Sequence, residues 1–184
     1  KSQVQVDNIT DEISKMFDYK FDGQTEFTVP NFRNINKDFN IGLIVGASGT
    51  GKSSLLKDFG EEQNIEWDKN KAVCSHFETS EEAQERLSSV GFNTIPSWMK
   101  PYHVLSTGEK FRADLSRRIK ENAIIDEFTS VVDRNVAKSC SNALQKFIRN
   151  KNIKNVVFAS CHYDIIDWLQ PDWVYDTNSS KVVT

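Results

Sequence analysis

One segment of the chain reads Gly46-Ala47-Ser48-Gly49-Thr50-Gly51-Lys52-Ser53 and fits the pattern G-x-x-x-x-G-K-[ST]. It follows the apolar run Ile41 to Val45 and leads into Ser53 to Phe59, which has helical character and ends at Gly60. A phosphate-binding loop lies between a strand and a helix in this way. Taken alone, the segment could be a glycine-rich turn with an ordinary surface lysine, but the full match in this context favours a phosphate loop.

The residue types in this loop suit phosphate chemistry. Glycines let the backbone curl until successive N–H groups point inward, and a helix that begins near Lys52 adds its positive end. We expect Lys52 to reach the β and γ phosphates and the Ser53 hydroxyl to ligate Mg²⁺. The predicted nucleotide-binding residues of the loop are Gly46, Ala47, Ser48, Gly49, Thr50, Gly51, Lys52, Ser53 and Ser54.

Strand and helix patterns alternate along the rest of the chain. The predicted strands are Lys71 to Phe77, Ala123 to Ile125 and Asn155 to Ser160, and the predicted helices are Ser80 to Gly91, Glu109 to Lys120 and Asn135 to Arg149. Weaker patterns predict a helix over Asp11 to Phe17, an edge strand over Glu26 to Val29 and a loop between Pro96 and Pro101. Such alternation predicts an α/β fold of three layers, with a mostly parallel central sheet and helices on both faces.

Length and composition set the frame for this fold. At 184 residues, without a Pro/Gly/Ser-rich stretch that splits it, the chain is expected to form a single domain over residues 1–184. The formal charge of -3 and the pI near 5.7 give no bulk attraction to nucleic acid or anionic lipid. A local basic patch stays open, and the only plausible cluster comprises Lys110, Arg112, Arg117, Arg118 and Lys120.

Cysteines and apolar runs predict the compartment. Cys74, Cys140 and Cys161 are odd in number and widely spaced, which matches neither a disulfide framework nor a zinc site. A reducing, cytoplasmic setting is therefore expected. The apolar runs are of strand length, far below the roughly 20 residues of a membrane helix, so we expect no membrane insertion. The start lacks the layout of a signal peptide, and Lys1 in place of Met suggests a processed form or a piece of a longer protein.

A second motif begins at Leu105, where the chain reads Leu-Ser-Thr-Gly-Glu-Lys-Phe-Arg-Ala-Asp-Leu-Ser-Arg. This segment resembles the signature of ABC-type ATPases, usually LSGGQ, and the helix that follows it. Ser106, Gly108, Arg112 and Arg117 stand where the family has them. The resemblance implies that Ser106 and Gly108 close over the γ-phosphate bound by a second copy of the chain, so that an ATP-dependent homodimer completes each site.

Two carboxylates follow the apolar run Ala123 to Ile125. The run with Asp126 and Glu127 resembles the family's Walker B strand, which implies that Asp126 holds Mg²⁺ and that Glu127 polarises the attacking water. Taken alone, an Asp-Glu pair after apolar residues is a common end of a strand.

Two further elements complete the resemblance, which covers Phe27 to Asp176 with all motifs in family order. Ser130 to Asp133 resembles the D-loop, in which Asp133 would lie at the dimer interface. His162 resembles the switch histidine that contacts the γ-phosphate and, with Lys52, would stabilise charge there, although a lone histidine is more often an ordinary surface or core residue. The order of the motifs makes coincidence an unsatisfactory explanation.

The chain departs from the family pattern at single positions and in one interval. Thr107 replaces a glycine, Glu109 a glutamine and Phe128 a proline. From Lys52 to Ser106 there are 54 positions, which is short for a family in which transporter members place a helical subdomain and a glutamine-bearing Q-loop here. We therefore expect an ABC-type fold with a reduced helical subdomain.

Two assignments stay open at this point. His76 or Gln84 could replace the missing Q-loop residue, and the sequence favours neither. The family stacks adenine on an aromatic ring upstream of the phosphate loop, and Phe17, Tyr19 and Phe21 are all near the expected place. Tyr19 is our candidate, with core packing of these rings at least as good an alternative. Aromatic residues between Phe92 and Tyr102 and in the tail, namely Trp98, Trp168 and Trp173, could belong to the core or mark a partner surface.

The resemblance implies an ATPase that uses Mg-ATP as a dimerisation switch. Two narrower strings, Asp126 to Arg134 and Cys161 to Asp164, are similar to a small ABC-type group sometimes fused to a predicted acetyltransferase domain. Three function classes remain: an ATPase acting on nucleic acid or a protein assembly, the ATP-binding subunit of a membrane transporter, and an ATP-sensing module of low turnover. The short middle interval disfavours the second class, and the intact Asp126 and Glu127 disfavour the third.

Overall fold

The computed structural model describes residues 2–3, 24–25 and 38–183. The chain divides into two compact units, Lys1–Asn31 and Phe32–Thr184. In the first unit, strand β1 (Ser2–Gln3) pairs antiparallel with β2 (Gln24–Thr25). The expectation of one domain over residues 1–184 stays a prediction. The helix expected near residues 11–17, the edge strand near 26–29 and the candidate ring of Tyr19 lie outside the described residues.

A mixed sheet forms the middle layer of the larger unit. Its strands are β3 (Ile41–Val45), β4 (Ile124–Ile125), β5 (Val156–Ser160), β6 (Trp173–Asp176) and β7 (Lys181–Val183). They follow the order β4-β5-β3-β6-β7, with every pair parallel except β6 and β7. Gly42 is required in β3, because a Cβ there would lie 2.2 Å from the Trp173 ring.

Helices surround the sheet on both sides. They are α1 (Lys52–Leu56), α2 (Ser80–Ser89), α3 (Ile95–Trp98), α4 (Thr107–Arg118), α5 (Arg134–Asn150) and α6 (Ile165–Leu169). Leu55 and Leu56 of α1 pack with Ile44 and Val157 in one apolar cluster. Apolar side chains of α2, α4, α5 and α6 pack with the other sheet face in a second cluster, which includes Leu87, Leu115, Leu144, Ile165, Leu43 and Phe158. The predicted three-layer α/β class is therefore confirmed.

Two predicted elements are wrong, and both lie between α1 and α4. The strand expected over residues 71–77 is a 3₁₀ turn, Val73–His76, because the His76 ring bonds the Ala72 carbonyl at 2.9 Å and the Val73 N–H donates to the Lys100 carbonyl at 2.9 Å. The loop between the two prolines contains α3, with Pro96 in its first turn, where proline is tolerated. Only α2 and α3, with short turns, fill this interval of the described chain, as expected for a reduced helical region.

The remaining boundaries differ from prediction by a few residues. Helix α1 begins at Lys52 but ends at Leu56 rather than Phe59. Helix α2 is capped by the Thr79 hydroxyl, which accepts the Glu82 N–H at 3.1 Å, and the chain leaves it through Gly91 at φ 75°. Cys74, Cys140 and Cys161 are free thiols, so no disulfide joins them. Among the described residues, no helix has the length and apolarity to cross a membrane.

Candidate functional site

The loop between β3 and α1 is held in glycine-dependent conformations. Gly46, Gly49 and Gly51 have φ angles of 154°, 80° and 87°. A Cβ on Gly46 would lie 1.7 Å from the Thr177 hydroxyl, and that hydroxyl lies 2.7 Å from the Thr50 hydroxyl. A side chain would clash at Gly46, and the positive φ angles at Gly49 and Gly51 would strain any other residue; a backbone path of this kind is what a phosphate-cradling loop requires.

The loop meets the end of β4, as the motif spacing predicts. The Ser53 hydroxyl donates to Asp126 Oδ2 at 2.6 Å, and the Lys52 ammonium donates to the Ala47 carbonyl at 2.7 Å. Asp126 Oδ1 accepts the N–H of Glu127 at 2.8 Å, which fixes the carboxylate in this orientation. The structure therefore brings the Ser53 hydroxyl to the Asp126 carboxylate from segments far apart in sequence, with Lys52 and Glu127 as their sequence neighbours.

Glu127 and Phe128 turn the chain away from β4. Glu127 is exposed with φ 51°, while Phe128 is fully buried between the rings of Phe111 and Phe158, at centroid distances of 6.0 and 4.8 Å. The Phe128 N–H donates to the Ala159 carbonyl at 2.8 Å. A proline could not make this bond, so Phe128 supports the turn in a way that the usual family residue cannot.

His162 follows β5 and lies half-buried. Its backbone N–H donates to the Ser160 hydroxyl at 3.1 Å, and its ring Nδ1 lies 3.2 Å from the Thr129 hydroxyl. Burial and then the positive charge of Arg134 lower the pKa of His162, while Asp164 opposes them. A neutral imidazole at neutral pH follows from this environment.

The signature residues form a separate group. Ser106 caps helix α4: its hydroxyl accepts the Glu109 N–H at 3.2 Å, and the Glu109 carboxylate accepts the Ser106 N–H at 3.1 Å. This capping box explains glutamate at position 109, because glutamate serves there as well as glutamine. Asp133 caps α5 by accepting the Val136 N–H at 2.9 Å. Among residues 38–183, no hydrogen bond joins Ser106, Gly108 or Asp133 to the phosphate loop.

Comparison with solved structures decides the fold. A dimeric post-hydrolysis state of the ATP-binding cassette MJ0796, bound to ADP and Pi, superposes with a TM-score of 0.59 at 15% identity, over 78% of this chain and 82% of that chain. CbiO1 from Clostridium perfringens, part of the ABC transporter complex CbiONQ, gives a TM-score of 0.53 at 19% identity, over 82% of this chain and 78% of that chain.

The chain has the fold of an ABC-type ATP-binding cassette. A scan against protein-family models and a search of curated proteins both find no match. At these identities the structural likeness shows the fold alone.

A cavity of about 210 Å³ opens beside the carboxylates of this cassette fold. Its polar lining includes Glu62, Asp114, Arg118, Asp126, Glu127 and Ser130. Neither His76 nor Gln84 lines it: the His76 ring is fixed by the Ala72 carbonyl and the Asp68 N–H, and Gln84 is exposed on α2. Glu62 was missed by the sequence analysis because no motif marks it.

The basic cluster on helix α4 of the cassette is largely engaged with the chain itself. Three of its cations lie over aromatic rings: Lys110 over Tyr102 at 5.6 Å, Arg112 over Phe92 at 5.3 Å and Arg117 over Trp67 at 4.6 Å. Arg118 pairs with Glu62 at 3.5 Å. These contacts favour a structural role for the cluster over a nucleic-acid strip.

The tryptophans between Phe92 and Tyr102 and in the tail also pack against the chain itself. Trp98 is buried and donates its Nε1–H to the Phe92 carbonyl at 2.9 Å. Trp173 is buried in the sheet, and Trp168 lies beneath the Arg134 guanidinium at 5.5 Å. These rings belong to the packing of the cassette itself.

Proposed function

We propose that the chain is an ABC-type ATPase that binds Mg-ATP and hydrolyses it to ADP and phosphate at a head-to-tail dimer interface. The observation that carries this proposal is the 2.6 Å contact between the Ser53 hydroxyl and Asp126, directly beside Lys52. It joins the phosphate loop to the acidic end of β4, and an ATPase of this type needs both at one triphosphate.

The residues at this contact fit Mg²⁺ and a triphosphate. A serine hydroxyl and a carboxylate are oxygen ligands of the kind that Mg²⁺ prefers, and Ser53 and Asp126 would hold it. The ion would supply charge neutralisation at the phosphates. The Lys52 ammonium donates to a carbonyl of the loop, Ala47, and can exchange that acceptor for a phosphate oxygen. The backbone from Gly46 to Ser54 would cradle the phosphates.

In this proposal the remaining candidate residues act on the attacking water, the phosphates and the base. The exposed Glu127 would orient a water molecule and accept its proton, while His162 and Lys52 would donate to charge developing on the phosphate oxygens. Tyr19, outside the described residues, is our candidate for stacking on adenine. Ser106 and Gly108 would reach the γ-phosphate held by a second copy, and Asp133 would lie between the two sites.

This arrangement makes nucleotide a switch for dimerisation. A ligand that contacts both copies favours the closed dimer, and its hydrolysis removes that preference. Support comes from the cassette MJ0796, whose structure with ADP and Pi is described as dimeric. We further propose a cytoplasmic location and, as the object of the cycle, nucleic acid or a protein assembly.

The alternatives are weaker on specific grounds. Some structural neighbours are described as transporter cassettes, so a transporter subunit with a separate membrane partner is the second candidate. The short α2 and α3 region leaves little of the helical part on which such a partner would dock. An ATP sensor of low turnover would tolerate loss of Asp126 or Glu127, and both are present. The fusion to an acetyltransferase domain stays a prediction.

The test is to substitute Glu127→Gln and size the protein by light scattering with and without Mg-ATP. We expect ATP binding to persist, turnover to stall and a dimer to accumulate only with Mg-ATP, because the side chain that activates water is lost while the binding loop is intact. Glu121→Gln, which changes an exposed glutamate just before β4, is the matched control and should behave as wild type. A Glu127→Gln protein that stays monomeric in saturating Mg-ATP would contradict the scheme.

A further inference from the structure

Thr129 stands out between the carboxylate pair and the D-loop segment. It is a β-branched residue at φ 67°, a region that such residues rarely occupy, and it is fully buried. The turn that contains it is closed by the Ser130 N–H, which donates to the Glu127 carbonyl at 3.1 Å. This conformation brings the Thr129 hydroxyl to within 3.2 Å of His162 Nδ1.

Arg134 approaches the same hydroxyl from the start of α5. Its NH1 group donates to Thr129 Oγ1 at 3.5 Å, and its Nε donates to Asp164 Oδ2 at 2.8 Å, with NH2 bonded to the other oxygen of Asp164. These two parallel bonds to Asp164 hold the guanidinium in place, and the guanidinium lies over the face of the Trp168 ring. Arg134 and Asp164 come from the two narrower sequence strings, and this pair joins those strings in space.

The donors and acceptors permit one arrangement of protons. A guanidinium can only donate, so Thr129 Oγ1 is an acceptor towards Arg134. The single hydroxyl proton must then find an acceptor, and the fully buried Thr129 side chain has no surface at which bulk water could accept it. Within the described residues, His162 Nδ1 is the remaining partner recorded for this hydroxyl. If Nδ1 carried the proton, the threonine O–H would be left buried without an acceptor, which is costly.

We propose that Arg134 and Thr129 are positioning residues that set the tautomer of His162, with Nδ1 accepting from Thr129 and the proton held on Nε2. Nε2, for which residues 38–183 offer no recorded hydrogen-bond partner, then presents an N–H donor. If the proposed function holds, that donor is what His162 directs to the phosphate, so this use of the tautomer rests on it. The tautomer itself does not depend on ATP.

The test reads the ring nitrogens of nucleotide-free protein by two-bond ¹H–¹⁵N NMR at pH 8. The chain has three histidines, so a His162→Gln spectrum assigns the signals of interest. Wild type is expected to show Nδ1 unprotonated and Nε2 protonated, almost without the other tautomer. Thr129→Val, which keeps the branched shape and removes the hydroxyl, should give a mixture of both tautomers. Thr129→Ser keeps the hydroxyl and should give the wild-type pattern.

A second pair of variants covers the case in which Thr129→Val fails to fold. Arg134→Gln replaces a group that can only donate with an amide whose oxygen can accept the Thr129 proton, so a mixture of tautomers is expected. Arg149→Gln removes a comparable pair, in which Arg149 bonds Asp172 at 3.1 Å with similar exposure, and should leave the His162 signals unchanged. Protonation of Nδ1 in wild type, or identical tautomer populations in wild type and Arg134→Gln, would overturn the proposal.

The ATPase reaction gives an independent readout. We expect Thr129→Val to lower kcat about ten-fold with little change in KM, because it disturbs a donor used at the phosphate rather than the binding loop. Thr129→Ser should restore most of the rate. If wild type hydrolyses no ATP, the proposed function is wrong, but the NMR result still tests the tautomer. If wild type is fully active and shows a mixture of tautomers, only the inference about Thr129 and Arg134 is wrong.

Discussion

The two groups of candidate site residues differ in how they are held. Lys52, Ser53 and Asp126 bond one another or their own loop within one chain. Ser106 and Gly108 sit at the start of α4, where Ser106 serves as a helix cap. No hydrogen bond within residues 38–183 brings the second group to the first. Two separate groups within one chain are what the proposed head-to-tail dimer requires of each copy.

Glycines in the two groups show the same contrast. Gly46, Gly49 and Gly51 adopt positive φ angles that the loop requires. Gly108 lies in helix α4 without a positive φ, and a Cβ there would only touch Val132 at the ordinary distance of 3.7 Å. Within the described residues, no contact of Gly108 requires the absence of a side chain, whereas the close approach of a second copy in the proposed dimer would require it.

Lys52→Ala should lower the ATPase rate more than the other single substitutions, because it removes a charged donor from the phosphate loop, which is formed within one chain. We expect the ATPase rate to fall by about 100- to 1,000-fold, the usual cost of one charge-stabilising donor. The measurement is phosphate release under saturating Mg-ATP, with Lys57→Ala at an exposed position after α1 as the control. A rate within two-fold of wild type, roughly 0.4 kcal/mol, would remove the phosphate loop from the mechanism.

Gly108→Ala should separate function from stability. The chain has room for the methyl group, so the thermal midpoint should hold or rise slightly, since alanine favours helix. The ATPase rate should fall about ten-fold, equivalent to about 1.4 kcal/mol, because the methyl group intrudes where a second copy's phosphate would approach.

Gly91→Ala is the opposite case and the matched control. Its φ of 75° strains an alanine, so about 1–2 kcal/mol of stability should be lost while the rate at low temperature is kept. Thermal unfolding and ATPase assays on both variants check the pair. A Gly108→Ala protein as active as wild type would place this glycine outside the site.

The pH dependence of His162 should give the smallest effect. Its pKa lies below the ordinary value of 6.5, so the ring stays neutral as pH falls from 8 towards that value. As pH falls through 6.5, His162 is protonated in the unfolded chain before it is protonated in the folded chain. The free energy of unfolding therefore decreases as pH falls below 6.5. In Arg134→Gln the lowering charge is gone and Asp164 remains, so an NMR titration should show a higher pKa. An unchanged pKa would show that Arg134 does not act on this ring.

Sequence alone predicted the parts of the fold that local patterns determine. The strand, loop and helix around Lys52 and the strand before Asp126 are confirmed, because short apolar runs bounded by glycine or acids have few alternatives in an α/β chain. The meeting of Ser53 with Asp126 followed from motif order. The roles assigned to these residues stay predictions.

The interval before α4 was not predictable in the same way. The residues around the apolar Val73 read as a strand. The chain there forms a 3₁₀ turn instead, in which Val73 is buried and its N–H donates to the carbonyl of the distant Lys100. Tertiary contacts of this kind decide the structure of short segments, and no local pattern shows them. Glu62 was missed for the same reason, since it reaches the cavity by the path of an irregular segment.

The sequence indicated the residues around His162 but not the contacts between them. The strings that contain Thr129, Arg134 and Asp164 were noticed as a resemblance, without a physical reason for them. The reason lies in a positive φ at Thr129 and in an ion pair between residues 30 positions apart. The two strings were both similar to the same small group, which marked these residues as related. Their contacts could be assigned only from the three-dimensional structure.

The most direct test of the two-halves account mixes two inactive variants. Lys52→Ala removes the lysine of the phosphate-loop half. Gly108→Asp introduces a side chain into the signature half, and an acid is compatible with the first turn of α4. Each alone should be nearly inactive. An equimolar mixture should recover about a quarter of wild-type ATPase activity, because random head-to-tail pairing leaves about a quarter of all sites with both halves intact. A mixture no more active than the separate variants would contradict the account.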